Sequence, residues 1–327
     1  MSRNLITGGT GLVGIHLTRR LLADGEEVVL FQRQADLPRG AADLAGRVEI
    51  ACGDVGEWVH VFDAVRRHRV DCIYHAAAVL SAGCEASAAS GFRTNVGGTL
   101  NVLEAARLLG VPDVLFAGSG TTYGLANVPQ RVTDDTPQRP ENMYGTTKLC
   151  AELLGLQYHR QYGVNFRGAR YAMVVGPGRR ITHHFGDWSG VIERTAQGLP
   201  YTVHSDPDCL CAYIYVKDVV QSLVDLKRAN ASRLRGRMYN VHGFSATLKE
   251  VAAVVRQHLP EANINFEWDR SEAMRVANRS LSYEMDTTAA FDDFGSVIRY
   301  PLEPMIADFI ADVRAGRTGS PSCGGES

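Results

Sequence analysis

The sequence lacks any apolar run close to the roughly 18 residues that a membrane-spanning helix requires. Residues 1–4 lead directly into a strand-like segment, so we expect neither a signal peptide nor a membrane anchor. It also lacks an excess of charge of one sign. Its 34 basic and 36 acidic side chains leave a formal net charge of −2, which argues against a nucleic-acid-binding protein. A small molecule is therefore the expected ligand.

Cysteine and histidine are not arranged for cross-linking or metal binding. The seven cysteines are odd in number and scattered, and none lies in a Cys-x-x-Cys motif, which favours reduced thiols in a cytoplasmic protein. The only adjacent histidine pair is His183-His184, and neighbouring side chains point apart in a helix or a strand. We therefore predict no metal site.

A glycine-rich turn follows the first apolar segment, residues 4–6. Gly8, Gly11 and Gly14 lie three apart, and a stretch with helical periodicity continues to about residue 24. Between a strand and a helix, such glycines allow a tight turn, close approach to a pyrophosphate and close helix–strand packing. The free N–H groups of the helix start favour an anion. This segment predicts dinucleotide binding.

The end of the second predicted strand, residues 27–31, bears on the choice of cofactor. An NAD-selective site normally has Asp or Glu there, whereas an arginine accommodates the 2′-phosphate of NADP. Gln32 and Arg33 occupy these positions. We expect NADP(H) to be preferred, with NAD(H) as the alternative because Gln32 can bind a ribose hydroxyl.

Further strand-like segments, at 48–51, 72–75, 114–117 and 165–171, alternate with helical ones. This alternation predicts an α/β fold with a Rossmann-type, doubly wound parallel sheet. Gly8, Asp54, Ala76 and Ser119 then all follow the carboxyl ends of strands, where ligands bind. His75, at a strand end, is predicted to be packed and not catalytic.

The later part of the chain is less regular. Helical stretches at 188–198, 217–228 and 247–258 alternate with short strands at 212–216 and 238–241. We divide the chain into a dinucleotide-binding domain, residues 1–175, and a smaller α+β part, residues 176–314, that mainly binds substrate and returns some elements to the first domain. Residues 315–327 are expected to be a disordered tail.

Tyr144 and Lys148 share one face of a predicted helix over 144–162. A phenol titrates near 10, and a nearby ammonium lowers that value, which makes the phenol a usable acid and base. The spacing alone is weak evidence, because such pairs are common on half-exposed helix faces.

Together these motifs resemble the extended short-chain dehydrogenase/reductase family, which includes nucleotide-sugar epimerases and dehydratases. The resemblance extends to about residue 313. It rests on the glycine turn, Asp54-Val55, His75 with the three alanines after it, and Tyr144-x-x-x-Lys148, and on the segments 95–99, 119–124, 170–177 and 213–218. It implies that Tyr144 is the general acid/base, that Lys148 lowers its pKa and holds the nicotinamide ribose, and that Ser119 binds the substrate oxygen.

The resemblance also implies the cofactor contacts and the assembly. The pyrophosphate would lie against Gly8, Gly11, Leu12 and Val13, and the adenine against Asp54 and Val55. Ala76, Ala77 and Ala78 would line the cofactor, and Tyr171 and Val174 would flank the nicotinamide. A homodimer would form through the helices at about 90–109 and 144–162.

Three departures from the family pattern bear on the reaction. Gly120-Thr121 replaces the Asp-Glu pair that dehydratases use, which makes dehydration unlikely on chemical grounds. Met173 and Cys211 stand where nucleotide-sugar epimerases usually have Asn and Arg for the diphosphate. Arg179-Arg180 or His183-His184 are candidates to replace them.

The sequence therefore predicts an NAD(P)-dependent oxidoreductase that transfers hydride at an alcohol or carbonyl carbon, with Tyr144 as acid/base. Two alternatives stay open at this point. One is a nucleotide-sugar 4-epimerase, and the other is a dinucleotide-binding protein without catalysis.

Overall fold

A seven-stranded parallel sheet forms the centre of the computed structural model, which describes residues 2–125, 127–179, 186–271 and 282–318. Its strand order is β11-β7-β5-β4-β1-β2-β3, with the order reversing beside β1. The strands are β1 (Arg3–Thr7), β2 (Glu27–Gln32), β3 (Glu49–Cys52), β4 (Cys72–His75), β5 (Asp113–Ala117), β7 (Asn165–Tyr171) and β11 (Met238–Val241). The predicted α/β, doubly wound fold is confirmed.

Apolar side chains on both faces explain why these segments pair as buried parallel strands. Neighbouring β1 residues enter different clusters, with Ile6 on one face of the sheet and Leu5 on the other. Helices α1 (Leu12–Ala23) and α8 (Val216–Arg228) cover the Ile6 face, and α2 (Trp58–His68), α5 (Gly98–Leu109) and α6 (Met143–Tyr162) cover the other.

The remaining helices are shorter or lie nearer the chain end. They are α3 (Ser81–Ala86), α4 (Ala88–Gly91), α7 (Asp187–Ala196), α9 (Leu248–His258) and two further helices over Thr288–Phe294 and Leu302–Arg314. The helix expected at about 90–109 contains a π-helical turn at Phe92–Gly97. None of the helices that the structure describes combines the length and the apolar character that crossing a bilayer demands.

A second, smaller set of strands lies beyond the sheet. β10 (Cys211–Tyr215) pairs in parallel with β8 (Met173–Val175) and antiparallel with β12 (Phe244–Ala246). Two further pairs join β9 (Tyr201–Val203) to β13 (Ile264–Phe266) and β6 (Arg131–Val132) to β14 (Glu284–Met285). The strand predicted at 238–241 is β11, which extends the main sheet beside β7. Most of the predicted tail, residues 319–327, lies outside the described residues.

A buried ion pair joins the sheet to the helix that carries Tyr144 and Lys148. Arg170 on β7 and Glu152 on α6 are 5% and 1% exposed, and Arg170 Nη2 lies 2.6 Å from Glu152 Oε1. Arg170 Nη1 also donates to Tyr123 Oη, whose hydroxyl donates to Asn240 Oδ1 at 2.7 Å. The network therefore fixes α6, β7, β11 and the turn after β5 in one arrangement.

We predict that Arg170→Met destabilises the fold by roughly 3–5 kcal/mol, because it leaves the Glu152 carboxylate buried without its counter-charge. The double variant Arg170→Met/Glu152→Leu should regain much of that loss. Urea unfolding followed by circular dichroism measures both variants. Arg66→Gln breaks an exposed pair with Asp63 and serves as the control, with an expected midpoint close to wild type. A single variant as stable as the control would contradict the role given to this pair.

Candidate active site

The glycine turn brings α1 against the carboxyl end of β1. Gly8 has φ +70°, and its N–H donates to Phe31 O at 3.1 Å. A Cβ on Gly14 would lie 2.4 Å from Gly8 O, so only glycine permits this approach of helix to turn. Gly11 precedes α1, and no side chain caps the helix. The N–H groups of its first turn, from Leu12 and Val13 onward, are therefore available to an anion.

The adenosine end of the site fits a dinucleotide. Gln32 is 6% exposed, and its Oε1 has no hydrogen-bond partner, so a buried acceptor awaits a donor such as a ribose hydroxyl. Arg33 beside it is exposed. Asp54 accepts from Gly56 N and from Arg93 Nη2, each at 2.9 Å, and Val55 is buried next to it.

The alanines after β4 lie between these groups and the Tyr144 helix. Ala76, Ala77 and Ala78 are half-buried, and Ala77 N donates to Thr7 Oγ1 at 3.2 Å. His75 is 2% exposed and is bonded through Nδ1 to Thr7 Oγ1 and through Nε2 to Thr99 Oγ1. Both ring nitrogens are occupied, and burial lowers the pKa of His75 to about 3, which confirms that it is a packed residue.

Helix α6 begins where it does because Asn142 caps it, with Oδ1 accepting from Gly145 N at 2.7 Å. A Cβ on Gly145 would lie only 2.7 Å from Thr121 O. Glycine at this position therefore lets the head of α6 pack directly on the turn after β5. That contact positions Tyr144 beside Ser119.

Ser119, Tyr144 and Lys148 form one cluster. The Ser119 side chain lies close enough to the Tyr144 hydroxyl to favour the phenolate, and Ser119 Oγ lies 2.9 Å from Thr121 Oγ1. Lys148 is 4% exposed, and its Nζ donates to Ala117 O at 2.8 Å. The lysine ammonium is 5.9 Å from the centroid of the Tyr144 ring.

The expected lowering of the Tyr144 pKa by Lys148 is not what the structure shows. Burial raises the pKa of Tyr144 to about 12, while the neighbouring Ser119 side chain and the charge of Arg179 act in the opposite direction. Burial also lowers the pKa of Lys148 to about 8. Desolvation of both groups is therefore the larger effect here, because each loses hydration of its charged form.

Arg179 is the charged group that sequence reasoning did not bring to this cluster. From the sequence, Arg179 is a candidate ligand of a diphosphate. In the structure its charge acts on Tyr144, and its Nη1 donates to Val174 O. Burial lowers the pKa of Arg179, and none of the described carboxylates pairs with it. Its position after the Gly176-Pro177-Gly178 turn was the available signal, but only the fold shows what that turn faces.

A second residue without an assigned role is Asn95, in the π-helical turn. Its Oδ1 accepts from Val79 N at 2.7 Å, and its Nδ2 donates to Val79 O and to Thr147 Oγ1. Asn95 thus ties the segment after β4 to helix α6, one residue from Lys148. Irregular π turns of this kind frequently occur at functional sites.

Two predicted nicotinamide contacts lie at the edge of the cluster. Val174 is half-buried on β8. Tyr171 is 3% exposed, and its hydroxyl lies 3.0 Å from Ser222 Oγ on α8, so the side chain is engaged with that helix. A contact between Tyr171 and the nicotinamide would accordingly involve its backbone or ring edge.

Met173 and Cys211, the positions that distinguish this chain from sugar-nucleotide epimerases, are buried. They are 5% and 1% exposed and belong to one apolar cluster with Tyr213 and Trp188. Arg180 and His183-His184 lie outside the described residues. Among the residues that the structure does describe, no group of three or more His, Cys, Asp or Glu side chains could hold a metal ion.

Comparisons with known proteins agree with this geometry. The model of the NAD dependent epimerase/dehydratase family matches residues 4–241. The D-erythronate dehydrogenase of Cupriavidus necator is 29% identical over 91% of this chain and 97% of its own length. The solved L-threonine dehydrogenase of Clostridium difficile is 26% identical, with a TM-score of 0.86 over 97% of this chain and 99% of that one. The UDP-glucose 4-epimerase of Thermus thermophilus, solved with NAD, is also 26% identical, with a TM-score of 0.79 over 95% and 99% of the two chains.

The raised pKa of Tyr144 predicts a phenol that stays neutral at pH 10, where an ordinary tyrosine is about half ionised. A ¹³C NMR titration of tyrosine-labelled protein measures this, with Tyr144→Phe identifying the signal. Arg179→Met should move the titration to still higher pH, because it removes a cation that favours the phenolate. Arg233→Met, at an exposed arginine away from the site, should leave it unchanged. Half-ionisation of Tyr144 below pH 9 would show that burial does not dominate.

Proposed function

The chain belongs to the NAD dependent epimerase/dehydratase family, and from that premise we propose that it is a dehydrogenase of a small, carboxylate-bearing alcohol. As a member of the extended short-chain dehydrogenase/reductase family, it is an NAD(P)-dependent oxidoreductase. The proposal concerns the substrate class and the residues that act on it.

The position of Arg179 carries the proposal. Its guanidinium is close enough to Tyr144 to favour the phenolate, and the described residues provide no carboxylate to pair with it. Arg179 is half-buried, and a cation partly withdrawn from water is stabilised by a counter-charge and by hydrogen bonds. A substrate carboxylate would supply both, in the bidentate geometry that guanidinium prefers. The alcohol carbon of the same small molecule would then lie near Ser119 and Tyr144.

The Ser119, Tyr144 and Lys148 cluster would perform the proton transfer. Ser119 Oγ would hold the substrate oxygen. The neutral Tyr144 phenol would give its proton to that oxygen during reduction, and the phenolate so formed would take the hydroxyl proton back in the reverse, oxidative direction. The bound cofactor supplies hydride acceptance and donation at its nicotinamide. Lys148, fixed by Ala117 O, would hold the nicotinamide ribose. Its ammonium also adds positive charge near the phenolate that forms.

The cofactor would lie along the carboxyl edge of the sheet. In this proposal the pyrophosphate contacts Gly8, Gly11, Leu12 and Val13, and the adenine contacts Asp54 and Val55. The rest of the cofactor contacts Ala76, Ala77, Ala78, Tyr171 and Val174. Residues 1–175 would form this dinucleotide-binding domain, and residues 176–314 would mainly bind substrate. Protection from hydrogen exchange on adding substrate should then fall chiefly in the second part; protection confined to the first would oppose the division.

Two of the similar proteins bear names that agree with this substrate class. Threonine and erythronate, the compounds in those names, both carry a hydroxyl and a carboxylate. The third similar protein is a UDP-glucose 4-epimerase, so fold alone leaves the epimerase alternative in place. Met173 and Cys211 weigh against it, because buried apolar side chains cannot supply the charged hydrogen bonds that a diphosphate requires.

The helices α5 and α6 support a proposed homodimer. Leu100, Leu108 and Leu153 on these helices are 41%, 51% and 51% exposed, an apolar surface on two helices that pack side by side. Light scattering that gives a monomer mass would refute the dimer.

We propose a cytoplasmic location because the cysteines of the sequence are odd in number and scattered, as in proteins with reduced thiols. Fractionation of the protein into a membrane or extracellular pool would refute this location.

We predict that Tyr144→Phe lowers kcat by about 10²–10⁴ while the affinity for the cofactor stays close to wild type, because only the proton carrier is lost. Stopped-flow absorbance measures turnover, and fluorescence titration measures cofactor binding. Tyr162→Phe makes the same chemical change at the exposed far end of α6 and should leave both quantities unchanged. Near-normal turnover in Tyr144→Phe would refute the mechanism.

For the cofactor we propose a preference for NADP(H), with NAD(H) as the alternative. Arg33 is exposed beside the adenosine end. It makes no ion pair within 4 Å among the described residues and acts on Asp54 only through space, so its guanidinium is available for a 2′-phosphate. Arg33→Ala should weaken NADP binding and spare NAD binding, as measured by calorimetry with each cofactor. If wild type binds NAD much more tightly, the unsatisfied Gln32 Oε1 decides the selectivity and the role of Arg33 is wrong.

A further inference from the structure

A cavity of about 350 Å³ lies on the Ile6 face of the fold, between α1, α8 and the helix Leu302–Arg314. None of the residues lining it belongs to the glycine turn or to the Ser119, Tyr144 and Lys148 cluster. Its wall is basic, with five cationic side chains and one imidazole: His16, Arg19, Arg20, Lys217, Arg299 and Arg317. Asp312 is the one carboxylate in the wall.

The charges of the wall are only partly neutralised. Lys217 pairs with Asp308 and Asp312 at 2.6 and 2.7 Å, and Arg317 also pairs with Asp312. Arg19 and Arg20 each pair with an aspartate outside the wall. Four of the five cations therefore have ion-pair partners, and one makes no ion pair within 4 Å among the described residues.

That cation is Arg299. Its guanidinium makes no hydrogen bond or ion pair among the described residues, and its charge acts on the buried Asp218 carboxylate only through space. It is nevertheless held in place by its backbone. The Asp218 carboxylate, 2% exposed, accepts from Arg299 N at 3.0 Å and from Tyr300 N at 3.2 Å. A buried carboxylate thus fixes the segment that places Arg299 at the cavity.

Two polar atoms in the wall are buried without partners. His16 is 6% exposed, and its Nε2 makes no hydrogen bond, while the carbonyl of Pro177 lies close enough to the ring to favour a proton on the other nitrogen. Arg19 Nη1, a donor, is likewise buried and unsatisfied. Buried polar atoms normally have partners, so the cavity lacks a group that can satisfy both.

The chemical class of that group follows from these two atoms and from the Arg299 guanidinium, which makes no ion pair. We propose that the cavity is a second ligand site, distinct from the cofactor and substrate sites, which binds a phosphate group through Arg299, Arg19 and His16. Phosphate oxygens accept from the two guanidinium groups. Burial lowers the pKa of His16 to about 4, so the ring is neutral at pH 7. When the ring proton is on Nδ1, directed towards the Pro177 carbonyl, Nε2 is an acceptor. The P–OH group of hydrogen phosphate can donate a hydrogen bond to it.

Isothermal titration calorimetry on the full-length protein, saturated with cofactor, tests the proposal. Saturation keeps the probe out of the pyrophosphate site. Inorganic phosphate should bind with one equivalent per chain. Sulfate at equal ionic strength should bind several-fold more weakly, because it offers no hydrogen-bond donor to His16. Glycerol 3-phosphate as a competitor shows whether the site also takes a phosphate monoester or only free phosphate.

Arg299→Gln should weaken phosphate binding by about fivefold or more, since it removes a charge-assisted bond without breaking an ion pair of the fold. Arg233→Gln removes an exposed arginine elsewhere and should change binding less than about twofold. Histidine ¹⁵N NMR should show the His16 ring signal moving on addition of phosphate. Failure of phosphate to bind, equal binding of sulfate, or equal effects of the two variants would overturn the proposal.

Discussion

The close approach of helix α6 to the turn after β5 is the contact on which the site depends. Gly145 makes it possible, because any Cβ there would press against the carbonyl of Thr121. The same approach places the Tyr144 hydroxyl beside the Ser119 side chain and brings Lys148 Nζ within hydrogen-bond distance of the carbonyl of Ala117. The site is therefore built on the sheet and one helix, elements that hold functional groups more rigidly than loops do.

Burial sets the electrostatics of this cluster more strongly than the individual charges do. Tyr144, Lys148 and Arg179 each have a pKa shifted towards the neutral form by desolvation. Such an arrangement makes charge expensive until a ligand supplies compensation. In the proposed reaction a substrate carboxylate compensates Arg179, and the developing phenolate is favoured by the cations around it. The site is therefore expected to favour an anionic substrate over a neutral one.

The sequence predicted the features whose cause is local. Glycine spacing and strand periodicity depend on neighbours in the chain, and the parallel sheet and the packed His75 followed from them. Features that depend on distant packing were missed. The two-residue pair of β6 with β14 joins segments about 150 residues apart, and the position of Arg179 depends on how β8 lies against the sheet. The sequence led us to expect a lowered pKa for Tyr144, whereas burial raises it. Side-chain spacing along a helix does not reveal burial.

The stoichiometry of cofactor reduction tests the central claim most directly. The protein is incubated with oxidised cofactor and a panel of small hydroxy acids, and separately with nucleotide sugars, while absorbance at 340 nm and substrate loss are followed together. A dehydrogenase produces one reduced cofactor for each hydroxy acid consumed, and we expect this result. Conversion of a nucleotide sugar with no net reduction of cofactor would contradict it and would identify the protein as an epimerase.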